Sequence, residues 1–538
     1  MSTTKQVTVP PWVVAIAFAG AMSALAGGYW DDAWHTERGR DDFFIAPHIA
    51  IYAGIATAGA ALTLWALLVA RDHGTQAVWG HKPLALALLS VAVTLVSGPI
   101  DNAWHVAFGR DAVIWSPPHM LGIAGTLALG AAILAELAGR REPWARPATS
   151  VAGALVLASA CFATVEYDTD VPQFDVVFYL PVLGFAAAAA LVLIRAATDA
   201  RWAATAAAAT YTVFIAVVSG FLGLVDFPPP ALPLIVLPAL VLDLGSRRGW
   251  PPILVAFGFT VALHLVYVPA RNLLGDGVRF DTEDVVLGGL LTLAATTVVF
   301  AVVAGRSMQA VRVAAAAMLC VTIALWLTPP PANAHDPGQG EDAGTLALDI
   351  RVKGGRATLV GQVPDASCSR TEAVAVVARR GGVELRGPLR KQGCSVSGTL
   401  ALPTRGRWFL YAELRRGRDS VESWLPVSVE DGRGRASAED RYAYIPPPAI
   451  REHLQAPRRH RALRRNARPA LRHPPTHPSR ATRCSGDGGH RMTTSTVIVL
   501  ASDGSFGVSM LFFGPVALLL LALGALTLRD RRRPREDV

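Results

Sequence analysis

Residues 31–48 of this 538-residue chain read DDAWHTERGRDDFFIAPH, and residues 101–119 read DNAWHVAFGRDAVIWSPPH. One constellation occurs twice. The first copy carries Asp31, Trp34, His35, Gly39, Arg40, Asp41, Pro47 and His48; the second carries Asp101, Trp104, His105, Gly109, Arg110, Asp111, Pro118 and His119. Both lie between long apolar runs, where ionisable side chains are costly and usually functional. Each Asp–His step is i,i+4, so carboxylate and imidazole share one helix face, a turn apart. The second His follows thirteen residues later in the first copy and fourteen in the second, each just after a proline that opens the next apolar run. A helical hairpin built this way sends out two ligands on one helix and brings one back on the other.

Two imidazoles and one carboxylate leave open coordination positions and suit copper, iron(II) or zinc. The expected ligands are Asp31, His35 and His48, with Asp101, His105 and His119 as a second set. Asp41 is a rival ligand or a partner that orients an imidazole through its other ring nitrogen; Arg40 with Asp41 and Arg110 with Asp111 also fit loop ion pairs. Asp32 is a further candidate, replaced by Asn102 in the second copy. The two repeats make either two similar sites or one site shared at their interface. The competing reading is a polar network that closes a loop; repetition favours metal.

The elements that must position these residues are membrane spans. The chain is 52% hydrophobic and only 17% charged, a membrane protein's balance. Apolar runs of span length are expected at 11–29, 48–70, 83–100, 119–138, 149–166, 176–195, 202–225, 231–245, 251–270, 284–305, 309–328 and 507–528. The run at 231–245, broken by Pro233 and Pro238, is the weakest. The fold class is therefore an all-α polytopic membrane bundle of about 11–12 transmembrane helices, with duplicated hairpins at 11–70 and 83–138 inside a membrane domain of residues 1–330. Arginines and lysines fall in alternate loops (Arg71 and Lys82, Arg140 and Arg141, Arg195 and Arg201, Arg247 and Arg248), which places those loops and both termini in the cytoplasm. The His-containing loops then face outward. Glu166, Asp168, Asp170 and Asp175 form an acidic outer loop, read as solvated, and Trp34 and Trp104 fit an interfacial aromatic belt.

Residues 335–445 alternate apolar and polar positions between Gly, Pro and Asp turns, as in TLALDIRV and WFLYAELRR, which predicts a small extracytoplasmic β-sandwich. Within it, Cys368 and Cys394 are placed to form a disulfide in an oxidising compartment. Residues 446–500 begin with a stretch rich in Arg, Pro and His that has no apolar periodicity; it reads as a disordered linker or as a translated frameshift. The net charge of +9 is not a nucleic-acid signal, because the arginines sit in short loops and this linker rather than on a basic, aromatic-interleaved face. No GxSxG, Walker loop or dinucleotide fingerprint occurs, so hydrolase and nucleotide-driven functions lack support.

The first copy resembles the metal-binding segment of the C subunit of particulate methane monooxygenase and ammonia monooxygenase. That pattern is met here by Asp31, Trp34, His35, Arg40, Asp41, Phe44, His48 and Ile49. The resemblance implies Asp31, His35 and His48 as ligands to a copper ion, and partner subunits of the monooxygenase type. It covers about twenty residues, or about a hundred with the second copy. The family's subunit has fewer spans and a single copy of the motif, so the duplication and the fused β domain are departures. A second likeness lies at Ala332-Asn333-Ala334-His335, a cleavage-site pattern that would leave His335 as a copper-chelating N-terminus, as in the periplasmic subunit of the same enzymes. Two functions are expected from these observations: a copper-dependent oxidase component acting near lipid, or a non-catalytic protein for copper transport, delivery or assembly.

Overall fold

The structure, a computed structural model, describes residues 7–39, 43–108, 114–172, 174–275, 277–304, 341–380 and 383–446, with backbone alone at 104–108 and 303–304. The expected spans at 309–328 and 507–528, the linker beyond Pro446, and Arg40, Asp41, Arg110, Asp111 and His335 lie outside the described residues, as does the side chain of His105.

Long runs of Ala, Leu, Val and Gly can satisfy their backbone in an apolar medium only as helices. The chain accordingly forms α1 (Pro11–Glu37), α2 (Ala46–His73), a short α3 (Thr75–Gly80), α4 (Lys82–Phe108), α5 (Pro117–Leu137), α6 (Ala145–Cys161), α7 (Val165–Asp168), α8 (Tyr179–Ala197), α9 (Ala203–Leu224), α10 (Val236–Arg248), α11 (Pro252–Leu274) and α12 (Thr282–Ala304). Among the described residues nine helices are long and apolar enough to cross a membrane, counting α6 and α7 as one. The protein is a multi-pass membrane protein.

The expected span at 231–245 is corrected. Its helix, α10, has 13 residues, roughly 20 Å at 1.5 Å per residue, too short to cross alone. The Pro-rich stretch before it runs extended beside the helices, and side chains satisfy its backbone. Ser219 Oγ donates to the Pro230 carbonyl (3.0 Å) and Thr212 Oγ1 to that of Pro233 (3.0 Å), while Leu234 N–H donates to the Tyr267 hydroxyl (3.1 Å). Irregular backbone at membrane depth persists only with such partners.

Small residues set the two hairpins. A Cβ on Gly54 would lie 2.5 Å from the Gly20 carbonyl oxygen, so α1 and α2 cross almost backbone to backbone. The repeat reproduces the crossing. Gly125 stands as far past His119 as Gly54 does past His48, and a Cβ there would overlap Thr94 Oγ1 and lie 3.1 Å from the Ser90 carbonyl oxygen. Ser90 in turn precedes Asp101 by the same interval at which Gly20 precedes Asp31. The duplication therefore extends from the polar motif into the packing that aims it.

The β domain is a closed barrel, not the expected sandwich. Its strands are β1 (Glu341–Lys353), β2 (Arg356–Gln362), β3 (Thr371–Arg380), β4 (Val383–Gln392), β5 (Ser395–Ala401), β6 (Gly406–Arg416), β7 (Asp419–Val429) and β8 (Arg433–Ile445), in the order β1-β2-β5-β4-β3-β6-β7-β8. Alternation places Leu346, Leu348, Ile350 and Val352 of β1 inside. Closure comes from β8 pairing antiparallel with β1, Asp342 to Tyr444 at one end and Lys353 to Arg433 at the other. It removes the free edges a sandwich would leave. The Cys368–Cys394 disulfide is present and ties the β2–β3 connection to the β4–β5 turn.

The barrel docks on the bundle through charge. Asp170, with φ 58°, receives Arg380 at its Oδ1 (2.6 Å) and the backbone N–H of Arg407 at its Oδ2 (2.8 Å). Arg407 also reaches Glu37 Oε1 (2.7 Å), and Arg441 donates to the Glu37 carbonyl (2.8 Å). Glu37 ends α1, so the barrel grips the helix that carries Asp31 and His35.

If the close crossing is what fixes the hairpin, Gly54→Val will destabilise the protein by about 1–3 kcal/mol through overpacking. Gly220→Val, where a Cβ meets nothing within 4 Å, will leave it unchanged. Thermal unfolding of both variants in one detergent checks this.

Candidate metal centre

Asp31 and His35 occupy the last two turns of α1, where i,i+4 spacing puts them on one face. The chain returns through a short connection and restarts as α2 at Ala46, with Pro47 in its first turn. Proline suits that position because the N–H it lacks would have no helical partner. His48 follows at once, so its ring leaves the start of α2 toward the end of α1.

The three side chains converge. Asp31 Oδ1 lies 3.2 Å from His48 Nε2 and 3.6 Å from His35 Nε2. His35 is 4% exposed and His48 6%, and the two rings stand 6.5 Å apart between centroids. One ligand atom from each residue falls within 4.8 Å of the others. Bonds of about 2.1 Å give a tetrahedral site edges of about 3.4 Å, and the two measured separations straddle that value. His48 Nδ1–H donates to the Phe43 carbonyl (3.3 Å), which leaves Nε2 with its lone pair toward Asp31. Asp31 Oδ1 is buried and faces the Nε2 atoms of both imidazoles. A buried carboxylate oxygen and two ring nitrogens converging on one point form a donor set that a cation would satisfy. The donor set fits a transition metal.

The second copy faces the same space. Asp101 Oδ1 lies 3.3 Å from His119 Nε2, and Asp101 is 8% exposed. One cavity of about 140 Å³ is lined by Asp31, His35 and His48 from the first hairpin and by Asp101 and His119 from the second. The two repeats thus share one chamber. Arg40, Asp41, Arg110 and Asp111 stand in the connections outside the described residues.

Sequence reasoning missed the third wall. It comes from the break between α6 and α7, a 3₁₀ turn at Phe162–Thr164. Ser159, Phe162 and Glu166 line the chamber there. Glu166 Oε1 accepts the Ile114 N–H (3.2 Å), and Trp115 Nε1–H donates to the Ala163 carbonyl (3.0 Å), so this turn holds the returning strand of the second copy. The available signal was an ionisable residue, Glu166, at the very end of the apolar run 149–166.

Of the acidic residues expected to be solvated, Asp175 is exposed, whereas Glu166, Asp168 and Asp170 are buried or paired, which corrects the expectation for those three. Glu166 is 3% exposed. Asp168 pairs with Arg271 (2.8 Å), itself 2% exposed, and accepts from the Tyr179 hydroxyl (2.6 Å). Asp170 is held by the barrel's arginines. Burial without these partners would be prohibitive for so many charges. Trp34 stacks on Phe227 at 5.5 Å, beneath the Arg38 guanidinium, and so packs within the protein. His264 Nδ1–H donates to the Thr260 carbonyl (2.9 Å), and His264 is not among the residues that line the chamber.

Comparison with protein-family models, curated proteins and solved structures finds no match to this chain.

Cobalt(II) titration reports such a site through its d–d absorption. The wild type is expected to bind cobalt with nitrogen-and-oxygen bands. Asp31→Ala should weaken binding by more than the roughly 10–100-fold that loss of an outer partner costs, while His264→Ala should bind as the wild type does.

Proposed function

We propose that this protein is a copper-binding membrane protein related to the C subunit of methane and ammonia monooxygenases, with its metal centre in the shared chamber. The observation that carries the proposal is the convergence of one ligand atom each from Asp31, His35 and His48 on a single buried point. Asp31, His35 and His48 would hold one ion. Asp101 and His119 face the same chamber and would hold another ion or share the first; His105, whose side chain lies outside the described residues, is the third donor that the repeat implies. The mixed imidazole–carboxylate set suits copper, and suits iron(II) or zinc by the same chemistry. When bound, copper supplies one-electron chemistry toward dioxygen.

The chain's own residues do the rest. Phe43 fixes the His48 tautomer, so the ring presents a lone pair without a proton to lose. The Gly20–Gly54 crossing holds the carboxylate and the returning imidazole in register. Ile51, Ile55, Ile123 and Phe162 give the chamber an apolar side open to small nonpolar molecules. Orientation follows the positive loops: the chamber and barrel face outward and both termini face the cytoplasm. Partners would be membrane lipid and subunits of monooxygenase or copper-handling type.

A second reading, copper transport, delivery or assembly without turnover, is favoured by a specific feature. The barrel grips the end of the ligand helix at Glu37, an arrangement suited to passing an ion between an outer domain and the membrane.

Metal analysis of protein purified from its native membrane tests the proposal. The wild type is expected to carry copper, His35→Ala and His48→Ala to lose it, and His119→Ala to lose part of it. Wild-type protein without any transition metal would overturn both readings; copper with no oxygen consumption on reduction would select the second.

A further inference from the structure

The chamber is not the largest cavity. A second one, of about 1020 Å³, lies between the bundle and the barrel. Asp168, Thr169, Asp170 and Asp175 line it from the bundle, and Thr404 and Arg407 from the barrel. The chamber and this vestibule share one wall, the segment Val165–Asp170. Glu166 faces the chamber, whereas Asp168 and Asp170, on the same turn, face the vestibule.

Three observations set this wall apart from ordinary packing. It is irregular: α6 gives way to a 3₁₀ turn and a single turn of α7, and Asp170 has φ 58°. Short 3₁₀ interruptions within a span often mark functional hinges. It is polar from side to side: Asp32 lines the chamber and Thr169 the vestibule. It also carries unsatisfied oxygen on the chamber side. Asp32 Oδ2 is buried without a hydrogen-bond partner, and so is Ser159 Oγ, whose residue is 1% exposed.

We propose that the vestibule is the inlet through which a transition-metal cation reaches the chamber, passing Asp168 and Asp170, then Thr169 and Asp32 on the two sides of the wall, to Glu166 and Asp31. This rests on the metal-binding reading above and adds its route. The oxygens along the wall are hard ligands for a partly hydrated ion, which would share Asp168 with Arg271 and Asp170 with Arg380, whereas the imidazoles lie only at the end. Seven carboxylates and four arginines line the cleft, and an excess of negative charge concentrates cations ahead of the site. The barrel completes the inlet: Arg380 and the Arg407 N–H hold Asp170, so the wall is tied to the domain above it. Asp32, Glu166 and Thr169 are positioning residues for passage, distinct from the ligands.

The test is the rate of copper(II) uptake by metal-free, full-length protein in detergent, read beside the final stoichiometry. Thr404→Cys coupled to a bulky maleimide should slow uptake roughly tenfold or more, as expected when a focusing cleft is lost, with unchanged final copper. The same reagent on the wild type controls for the native cysteines and should change nothing. Glu166→Gln should likewise slow uptake and keep the stoichiometry. Uptake at the wild-type rate in both altered proteins would overturn the route. A lowered stoichiometry in Glu166→Gln would make Glu166 a ligand and overturn its assigned role. Wild-type protein that takes up no copper would fail the metal reading itself, a result distinct from either.

Discussion

A carboxylate placed inside a membrane bundle must be compensated, and at Asp31 two imidazoles delivered by different helices converge with it on one point where a cation would do so. That single requirement organises the two hairpins. His35 comes with Asp31 on one helix face. His48 reaches it only because α1 and α2 cross at Gly20 and Gly54, closely enough that a Cβ on either residue would meet the other's backbone. In a bilayer no hydrophobic force draws helices together, so close packing of small residues has to do so. The second hairpin repeats the crossing with Ser90, Thr94 and Gly125, and its Asp101–His119 pair faces the same chamber. The two copies of the motif therefore line one chamber rather than two remote ones.

The protein invests heavily in buried charge on the barrel side. Asp168 with Arg271, Asp170 with Arg380, and Glu37 with Arg407 are all close pairs. Each pair must offset a large desolvation cost, so none is strong evidence for stability. Their common location is more informative. They surround the break between α6 and α7, the extended stretch before α10 and the foot of the barrel. Backbone irregularity and ionisable side chains concentrate together in membrane proteins where ions or substrates pass.

Much of the site was legible in the sequence because its signal is local. The i,i+4 step from Asp31 to His35, the Pro47-His48 pair that starts a helix, and the repeat at Asp101 each encode geometry within a few residues. The spans were legible for the same reason. What was not legible depends on contacts far apart in the chain. Period-two alternation in residues 341–445 is equally compatible with a sandwich and a barrel; pairing of Lys353 with Arg433 decides between them. Glu166 read as part of a solvated loop because nothing nearby in sequence shows that Ile114 and Trp115 fold onto that turn. The spacing of Gly20, Gly54, Ser90 and Gly125 was present in the repeat, but small residues are common in spans and their register is only meaningful beside the polar motif.

X-ray absorption at the metal edge of the purified, metal-loaded protein tests the central claim most directly, because it counts ligand types around the ion. The account predicts nitrogen and oxygen neighbours with the outer-shell scattering of imidazole rings, no sulfur, and fewer imidazoles in His48→Ala. A spectrum with sulfur ligation, or one unchanged when His48 is removed, would contradict it.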